Sequence, residues 1–500
     1  MGKKKVKKNS AKSEPRDAKA TLDLAPFVIA FLFVAFFVFF AFIGTFRPWE
    51  LRIQGVDPVG YFAWTHTLVF DRDLDFENEY RALNRIPIPG DTLVDPDGPR
   101  TATGRLGNSF SMGPGLLWVP YIAFTHVIAW AGGADMDPLS QPYQTAVFYA
   151  NIVYVFFGAL LLYYTLLAWY DRKTSLLAAV AMWLCSPLLY YTYAQEAMSH
   201  ACSFFAVALA LFTWVKVRER STYLGWALLG LTIGLATLVR WQNVTFAIIP
   251  AVDLLRHDGR RNVPRLATAA LTTVLIFSPQ MLAWRILYGS FFTIPQGGEF
   301  MDWAHPDLIA LFFSRAHGLI LWTPLCALGM LGIFVPMKPE HRAVYTTLLL
   351  AFLVQLYIQA CAGNVGWAFG MRRMINCVPL MAIGAATLLD RARIPLRLAV
   401  PLAFAFALWN VLFVAQYGGI LDEYYMLSSF EALARDQGIS PEQLFQSHTL
   451  KGGQPFDALG FMAENTFPKG RPLTFDQFVT DKALVVREIL FRLLLLRDSP

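Results

Sequence analysis

Long apolar runs separated by short polar segments dominate this chain. About 20 consecutive apolar residues suffice for a helix to cross a bilayer, and runs near that length recur from the N-terminus to residue 416. They cover residues 24–46, 143–169, 174–192, 198–215, 222–239, 242–255, 265–287, 317–335, 342–361, 374–389 and 395–416. The pattern predicts an all-α polytopic membrane protein with about eleven transmembrane helices.

One further apolar run, 114–130, is ambiguous, and the distribution of Lys and Arg decides its interpretation. If this run does not cross, the basic loops all fall on the same side as the lysine-rich N-terminus, as the positive-inside rule requires. We therefore predict that it lies along the outer surface, broken by Pro114 and Pro120 and ended by Gly132 and Gly133. The N-terminus is then cytoplasmic and the C-terminus lies outside.

This topology divides the chain into three parts. Residues 1–23 form a basic cytoplasmic N-terminus, 24–416 a transmembrane domain and 417–500 a small outer tail domain. Within the transmembrane domain, residues 47–142 form a long outer loop in which we expect surface helices. An amphipathic helix is also predicted at 483–496, where arginines interrupt leucine-rich faces.

Composition supports a membrane protein and excludes several other classes. The chain is 56% hydrophobic and 16% charged, with a mean hydropathy of +0.43, more apolar than a soluble domain. Its net charge of +6 is concentrated before the first apolar run, which indicates contact with anionic lipid and no nucleic-acid partner. The five cysteines are scattered singly, without zinc or disulfide spacing, and no nucleotide-binding fingerprint is present.

Ionisable residues at the edge of a bilayer are costly to place there and are therefore candidate functional groups. In the predicted topology such residues gather at the outer ends of different spans: Asp57, Glu196, His200, Arg240, Arg372 and Arg373. Guanidinium groups suit bidentate binding of phosphate oxygens. His200 follows Glu196 by one helical turn, so the two side chains can share a face and a hydrogen bond.

Structural alternatives stand beside these assignments. Asp57 lies in an Asp-Pro sequence that is also typical of a turn, its side chain capping the next helix. Glu196 suits a helix N-terminus, and the arginine doublet could snorkel to the interface. The acidic run at 71–79 suggests a divalent-metal site but is also typical of a solvated loop, and we assign no metal ligand to it.

Aromatic and amide side chains on the outer face are candidates for contacts to a sugar. Aromatic faces beside polar groups suit sugar rings, although an interfacial aromatic belt has the same composition. The candidate substrate-binding residues are Tyr61, Arg105, Asn108 and Trp367.

Five segments together resemble the GT-C superfamily, the integral-membrane glycosyltransferases that use polyprenyl-phosphate-linked sugars, such as protein O-mannosyltransferases and aminoarabinose transferases. They are Asp57-Pro-Val-Gly60-Tyr61, Gly113-Pro-Gly-Leu-Leu-Trp118-Val-Pro120, Gln195-Glu196-Ala-Met-Ser-His200, Leu238-Val-Arg240 and Gly366-Trp367-Ala-Phe-Gly370-Met-Arg372-Arg373. The resemblance implies that Asp57 is the catalytic base, Glu196 the second-loop acid, and Arg372 or Arg373 the binder of the donor phosphate. Pro58 and the glutamate at 196 depart from the family pattern.

The implied function is inverting transfer of a sugar from a polyprenyl-phosphate donor to a hydroxyl of a glycan, lipid or protein acceptor. It would take place at the outer face of a bacterial plasma membrane. No cofactor is assigned, and a divalent cation stays an alternative. A transporter or flippase of lipid-linked or small polar substrates is the competing function, but its charges are expected at mid-span. A scaffolding membrane protein is a third.

Overall fold

The computed structural model describes residues 23–42, 53, 55–83, 93–195, 197–220, 222–258, 263–314, 317–363, 368–420 and 481–495. The predictions for the basic N-terminus, for Glu196 and Trp367, and for most of the tail fall outside these residues.

The described residues are almost entirely helical. The α-helices are α1 Ala25–Phe42, α2 Val56–His66, α3 Glu77–Leu83, α4 Gly113–Gly132, α5 Gln141–Leu166, α6 Arg172–Leu184, α7 Leu188–Tyr193, α8 Ser199–Arg220, α9 Tyr223–Val239, α10 Ile248–Asp258, α11 Val263–Tyr288, α12 Leu308–Phe313, α13 Leu319–Trp322, α14 Pro324–Ile333, α15 Arg342–Cys361, α16 Val378–Arg391, α17 Leu396–Ala415 and α18 Lys482–Leu495. Across the described ranges, β-type pairing is confined to the isolated bridges Arg100–Leu106 and Met301–Ala362.

Every predicted apolar run contains helix, which confirms the all-α membrane fold. Eight helical stretches in the described part are long and apolar enough to cross a bilayer, and α9 and α14 are shorter apolar helices. Two runs are divided where a proline removes a backbone donor: 174–192 at Pro187 and 317–335 before Pro324. Two others begin with a 3₁₀ segment, Trp241–Ala247 and Arg372–Cys377.

The predicted surface segment is helix α4, and its details differ from the prediction. Pro114 stands in its first turn and Pro120 lies inside a continuous helix, so the predicted break at these prolines is wrong. Proline is tolerated in a first turn because those N–H groups lack helical partners. The predicted end is confirmed, with Gly133 in the left-handed conformation at φ 63°. By length and composition α4 could also cross a bilayer.

Helix α8 lies at the centre of the molecule, packed between α5 and α9 and against the Arg372–Cys377 segment. Helices α14 and α16 cross closely at two glycines. A Cβ on Gly332 would lie only 2.1 Å from the carbonyl oxygen of Gly384. Small residues at such crossings let helix backbones approach in a membrane, where dispersion replaces the hydrophobic effect.

The predicted amphipathic helix near the C-terminus is present as α18, which packs against α17. Val485 and Ile489 are buried, and Lys482 donates a hydrogen bond to Gln416 Oε1 while its Nζ lies 3.8 Å from the centre of the Phe413 ring. Burial lowers the pKa of Lys482 to about 6, and the neighbouring Asp481 raises it only in part.

The environment of this partly buried lysine predicts that the attachment of α18 depends on pH. A base whose pKa is lowered in the folded state penalises folding below its ordinary pKa, so stability rises as pH increases from about 6 towards 10. We expect thermal unfolding temperatures to rise over this interval, and the Lys482→Met variant to show a flatter profile. The exposed Arg487→Met variant is the control and should keep the wild-type slope; an equal slope in Lys482→Met would contradict the prediction.

Candidate active site at the ends of the spans

Asp57 lies in the first turn of α2 and its carboxylate points to a distant part of the chain. The N-cap of α2 is Gly55, at φ 83°, so Asp57 does not occupy the capping position that the turn alternative predicted. Its Oδ2 lies 3.3 Å from Nη1 of Arg372, with side chains 27% and 17% exposed. The fold therefore joins two of the predicted residues in one partly buried ion pair.

Arg372 opens a 3₁₀ segment, and the residues before it fix its direction. Gly370 adopts φ 56°, and a Cβ there would lie 3.0 Å from Cγ of Pro187. Phe369 stacks on Tyr190 at 4.7 Å between ring centroids, and its N–H donates to the hydroxyl of Tyr191. The direction of the backbone at Arg372 thus depends on Gly370, which is in the left-handed conformation and packs against Pro187 at the start of α7.

We expect Gly370→Ala to weaken the site. A side chain in this conformation costs of order 1–3 kcal/mol, and relief of that strain would rotate the backbone that carries Arg372. The unfolding temperature should fall, and activity per folded molecule should fall further. Gly298→Ala is the control, because a Cβ there meets nothing within 4 Å. Equal behaviour of the two variants would argue against this role for Gly370.

Arg240 follows the end of α9 and is held by neutral groups. Its Nη1 lies 2.9 Å from Nδ1 of His200, and Nε and Nη2 lie 3.0 and 3.1 Å from the side-chain oxygen of Gln242 in the amide orientation that satisfies both groups. A guanidinium group can only donate, so Nδ1 of His200 accepts and the imidazole is neutral with its proton on Nε2. Neither partner cancels the charge of Arg240.

Arg373 points to another side of the 3₁₀ segment than Arg372. Its Nη1 donates to the carbonyl oxygen of Gly363 at 2.6 Å, and its guanidinium carbon lies 5.3 Å from the centre of the Phe300 ring. Arg373 and Arg240 line one cleft with about 510 Å³ of empty space, part of it open to solvent. The other lining residues include Tyr61, Ser109, Ser111, Gln242, Gln296 and Gln359.

Tyr61 links the ion pair to this cleft. It lies one turn after Asp57 on α2, is buried, and interacts with Ser199 at the start of α8. Burial raises the pKa of the Tyr61 phenol even though nearby Arg240 lowers it, so the hydroxyl is neutral at neutral pH. Gly60 permits this packing, because a Cβ there would overlap the Phe110 ring at 2.0 Å.

A buried amide network lies under the arginines. Asn376 Nδ2 donates to Oδ1 of Asn243 at 2.9 Å and to Oε1 of Gln355 at 3.0 Å, while Asn243 Nδ2 donates to Ser203 Oγ. Gln355 in turn donates to the carbonyl oxygen of Gln242. The network ties both 3₁₀ segments to α8 and α15, which fixes Arg240 relative to the arginine doublet.

The other predicted residues have different surroundings. Asn108 is buried, donates to the carbonyl oxygen of Gly60 at 2.8 Å and accepts from the N–H of Phe110. Arg105 is exposed on a turn and does not line the cleft. Glu196 and Trp367 lie outside the described residues.

Tyr191 is a site residue that the sequence interpretation missed. Its ring lies 4.6 Å from that of His200, and its hydroxyl interacts with Arg372. The aromatic run Tyr190-Tyr191-Thr-Tyr193, which ends three residues before Glu196, is the signal that could have indicated it.

Comparison with known proteins finds likeness in structure alone. No protein-family model matches the sequence, and no curated protein matches it. The Archaeoglobus fulgidus oligosaccharyltransferase, crystallised with Zn and sulfate, aligns over 90% of this chain and 58% of its own, with a TM-score of 0.50 and 13% identity. ArnT from Cupriavidus metallidurans, bound to undecaprenyl phosphate, aligns over 93% of this chain and 73% of its own, with a TM-score of 0.47 and 12% identity.

This chain thus spans less than two thirds of the oligosaccharyltransferase with which it aligns. At such low identity the alignment compares the arrangement of the helices, and it assigns no role to individual residues of the site. The chain therefore shares its arrangement of helices with the Archaeoglobus fulgidus oligosaccharyltransferase.

Proposed function

We propose that this protein transfers a sugar from a polyprenyl-phosphate donor to an acceptor hydroxyl at the outer face of the plasma membrane. The observation that carries the proposal is the 3.3 Å contact between Asp57 and Arg372 beside a cleft lined by Arg240 and Arg373. The carboxylate can accept the proton that the acceptor hydroxyl loses. The three guanidinium groups around it can stabilise the negative charge that the leaving phosphate gains.

The proposed step is a single displacement. The acceptor oxygen attacks the anomeric carbon, Asp57 takes its proton as general base, and the bond from that carbon to the phosphate oxygen breaks with inversion. Polyprenyl phosphate leaves with the bonding electron pair. Arginines at the position of the growing negative charge stabilise that charge more in the transition state than in the ground state.

The arginines divide this work in the proposal. Arg240 and Arg373 line the cleft and are assigned to the donor phosphate, with Arg240 the better suited because its own partners are neutral. Arg372 orients Asp57 with one edge of its guanidinium and presents its other N–H groups to the phosphate. His200, Tyr61 and Asn108 support this arrangement, and Glu196, Arg105 and Trp367 stay candidates for acceptor or sugar contacts.

Two measurements test the proposal. Purified protein in liposomes is supplied with radiolabelled hexosyl and pentosyl polyprenyl phosphates and a membrane extract as acceptor, and transfer of label to a new product is expected. Undecaprenyl phosphate alone should also raise the unfolding temperature, and Arg240→Met should abolish that rise, whereas a simple phospholipid should give none. Equal stabilisation by both lipids, without transfer from any donor, would refute the proposal.

A further inference from the structure

A second group of ionisable side chains lies at the opposite end of helix α2 from Asp57. His66, the last residue of α2, places Nδ1 2.9 Å from Oε1 of Glu79 and 3.1 Å from Oδ2 of Asp71. His66 and Glu79 are 5% and 0% exposed, and Asp71 is 27% exposed at the side chain. None of these three residues takes part in the proposed binding of the sugar donor or the acceptor.

The backbone beside this cluster departs from a regular α-helix. A π-helical turn, Thr67–Asp71, continues α2, and its i to i+5 spacing stacks Asp71 over His66, which an α-helix would not do. Arg72 then ends the turn at φ 59°, in the left-handed region that a non-glycine residue rarely adopts. Asn78 donates to Oδ2 of Asp71 at 2.8 Å and so fixes that carboxylate from outside.

Glu79 provides the observation that points to a ligand. Its side chain is fully buried, yet Oε2 has no hydrogen-bond partner among the described residues, while Oε1 faces His66. An unpartnered buried carboxylate oxygen is costly, and a bound cation satisfies it. The ligand atoms of His66, Asp71 and Glu79 all lie within 4.8 Å of one another.

We propose that His66, Asp71 and Glu79 form a binding site for a divalent transition metal such as Zn²⁺, which clamps the first outer loop. One imidazole nitrogen and two carboxylates suit zinc, with ligand distances near 2.0–2.2 Å. Tetrahedral ligands at those distances stand about 3.4 Å apart. The two separations from Nδ1 of His66, 2.9 and 3.1 Å, therefore need to open by only a few tenths of an ångström. The second oxygen of Glu79 or a water completes the shell.

The role of the metal follows from its position. It would join the end of α2 to the start of α3, and α2 carries Asp57 nine residues earlier, about 14 Å along a helix. The metal is therefore a structural clamp that holds the helix of the proposed base and does not touch the reacting groups. Its removal should lower the unfolding temperature and broaden the positions that Asp57 samples.

Metal binding can be measured on the full-length protein without any activity assay. The chain, purified through a histidine-free tag and stripped with chelator, is titrated with ZnCl₂, and bound zinc is counted by mass spectrometry after desalting. One zinc per chain and a rise in unfolding temperature are expected. Co²⁺ as a probe should give the visible absorption of a low-coordinate site.

Variants separate this site from adventitious binding. Glu79→Gln and Asp71→Asn keep the side-chain shapes and should weaken zinc at least tenfold, as should His66→Ala. His305→Ala is the matched control, since His305 also contacts a carboxylate, Asp302 at 3.1 Å, but is 83% exposed. Full zinc binding in folded Asp71→Asn and Glu79→Gln, or no zinc in the wild type, would overturn the proposal. Loss of zinc with transfer intact would leave the proposed function standing.

Discussion

Replacement of Asp57 by asparagine is expected to lower sugar transfer by about 10²- to 10⁴-fold while the protein stays folded. The amide keeps the shape of the carboxylate and can still accept from Arg372, but it cannot take a proton from the acceptor hydroxyl. The effect should appear in turnover more than in donor affinity. It is measured as transfer per folded molecule at saturating labelled donor.

The control for Asp57→Asn is Asp97→Asn. Asp97 belongs to the same loop and pairs with Arg81 at 2.6 Å, but that pair is exposed, and exposed pairs contribute little to stability. We expect near wild-type transfer from this variant. Normal turnover in Asp57→Asn would remove Asp57 as the base and leave it as a structural partner of Arg372.

Replacement of Arg372 by methionine should have the second largest effect, about 10²- to 10³-fold on transfer. Two functions are lost together, because Asp57 loses its orienting partner and the leaving phosphate loses a positive charge. Arg372→Lys should recover only part of the activity, since an ammonium lacks the planar fork that can contact two anions.

The Asp57–Arg372 contact can be tested as a pair. If Arg372 acts partly through Asp57, the double variant should be less impaired than the product of the single effects. Arg218→Met is the control, because Arg218 forms an Asp pair with Asp253 at 2.9 Å in a different part of the bundle. Comparable losses of transfer in both arginine variants would indicate general destabilisation in place of a local role.

Much of the fold could be predicted because apolar runs determine helices in a bilayer almost by length alone. Asp57 and Arg372 are 315 positions apart in sequence, yet the alternation of sides along the predicted spans placed them on one face. The positions of the helix breaks were less accessible. Pro187 and Pro324 divide predicted spans, whereas Pro120 does not interrupt α4, and the difference depends on tertiary packing.

The partners within the site could not be predicted. Sequence spacing gave no signal that Nδ1 of His200 accepts from Arg240, which follows the end of another helix. The predicted pairing of His200 with Glu196 falls outside the described residues. The cluster of His66 with Asp71 also depends on a π-turn, and helical periodicity gives no signal for it. Local spacing predicts neighbours along a helix, whereas contacts between helices depend on where each helix ends and on the 3₁₀ or π-helical segment that adjoins it.

The 3₁₀ segment that begins at Arg372 directs the two neighbouring arginines to different partners. Three residues per turn separate successive side chains by about 120°, so Arg372 turns to Asp57 while Arg373 turns to the cleft. A one-residue deletion just before the doublet would therefore not merely shorten the loop. It would shift the register by a third of a turn, so Arg373 would take the position that faces Asp57 and Met374 the position that faces the cleft. The site therefore depends on where the doublet stands in the turn as well as on the presence of two arginines.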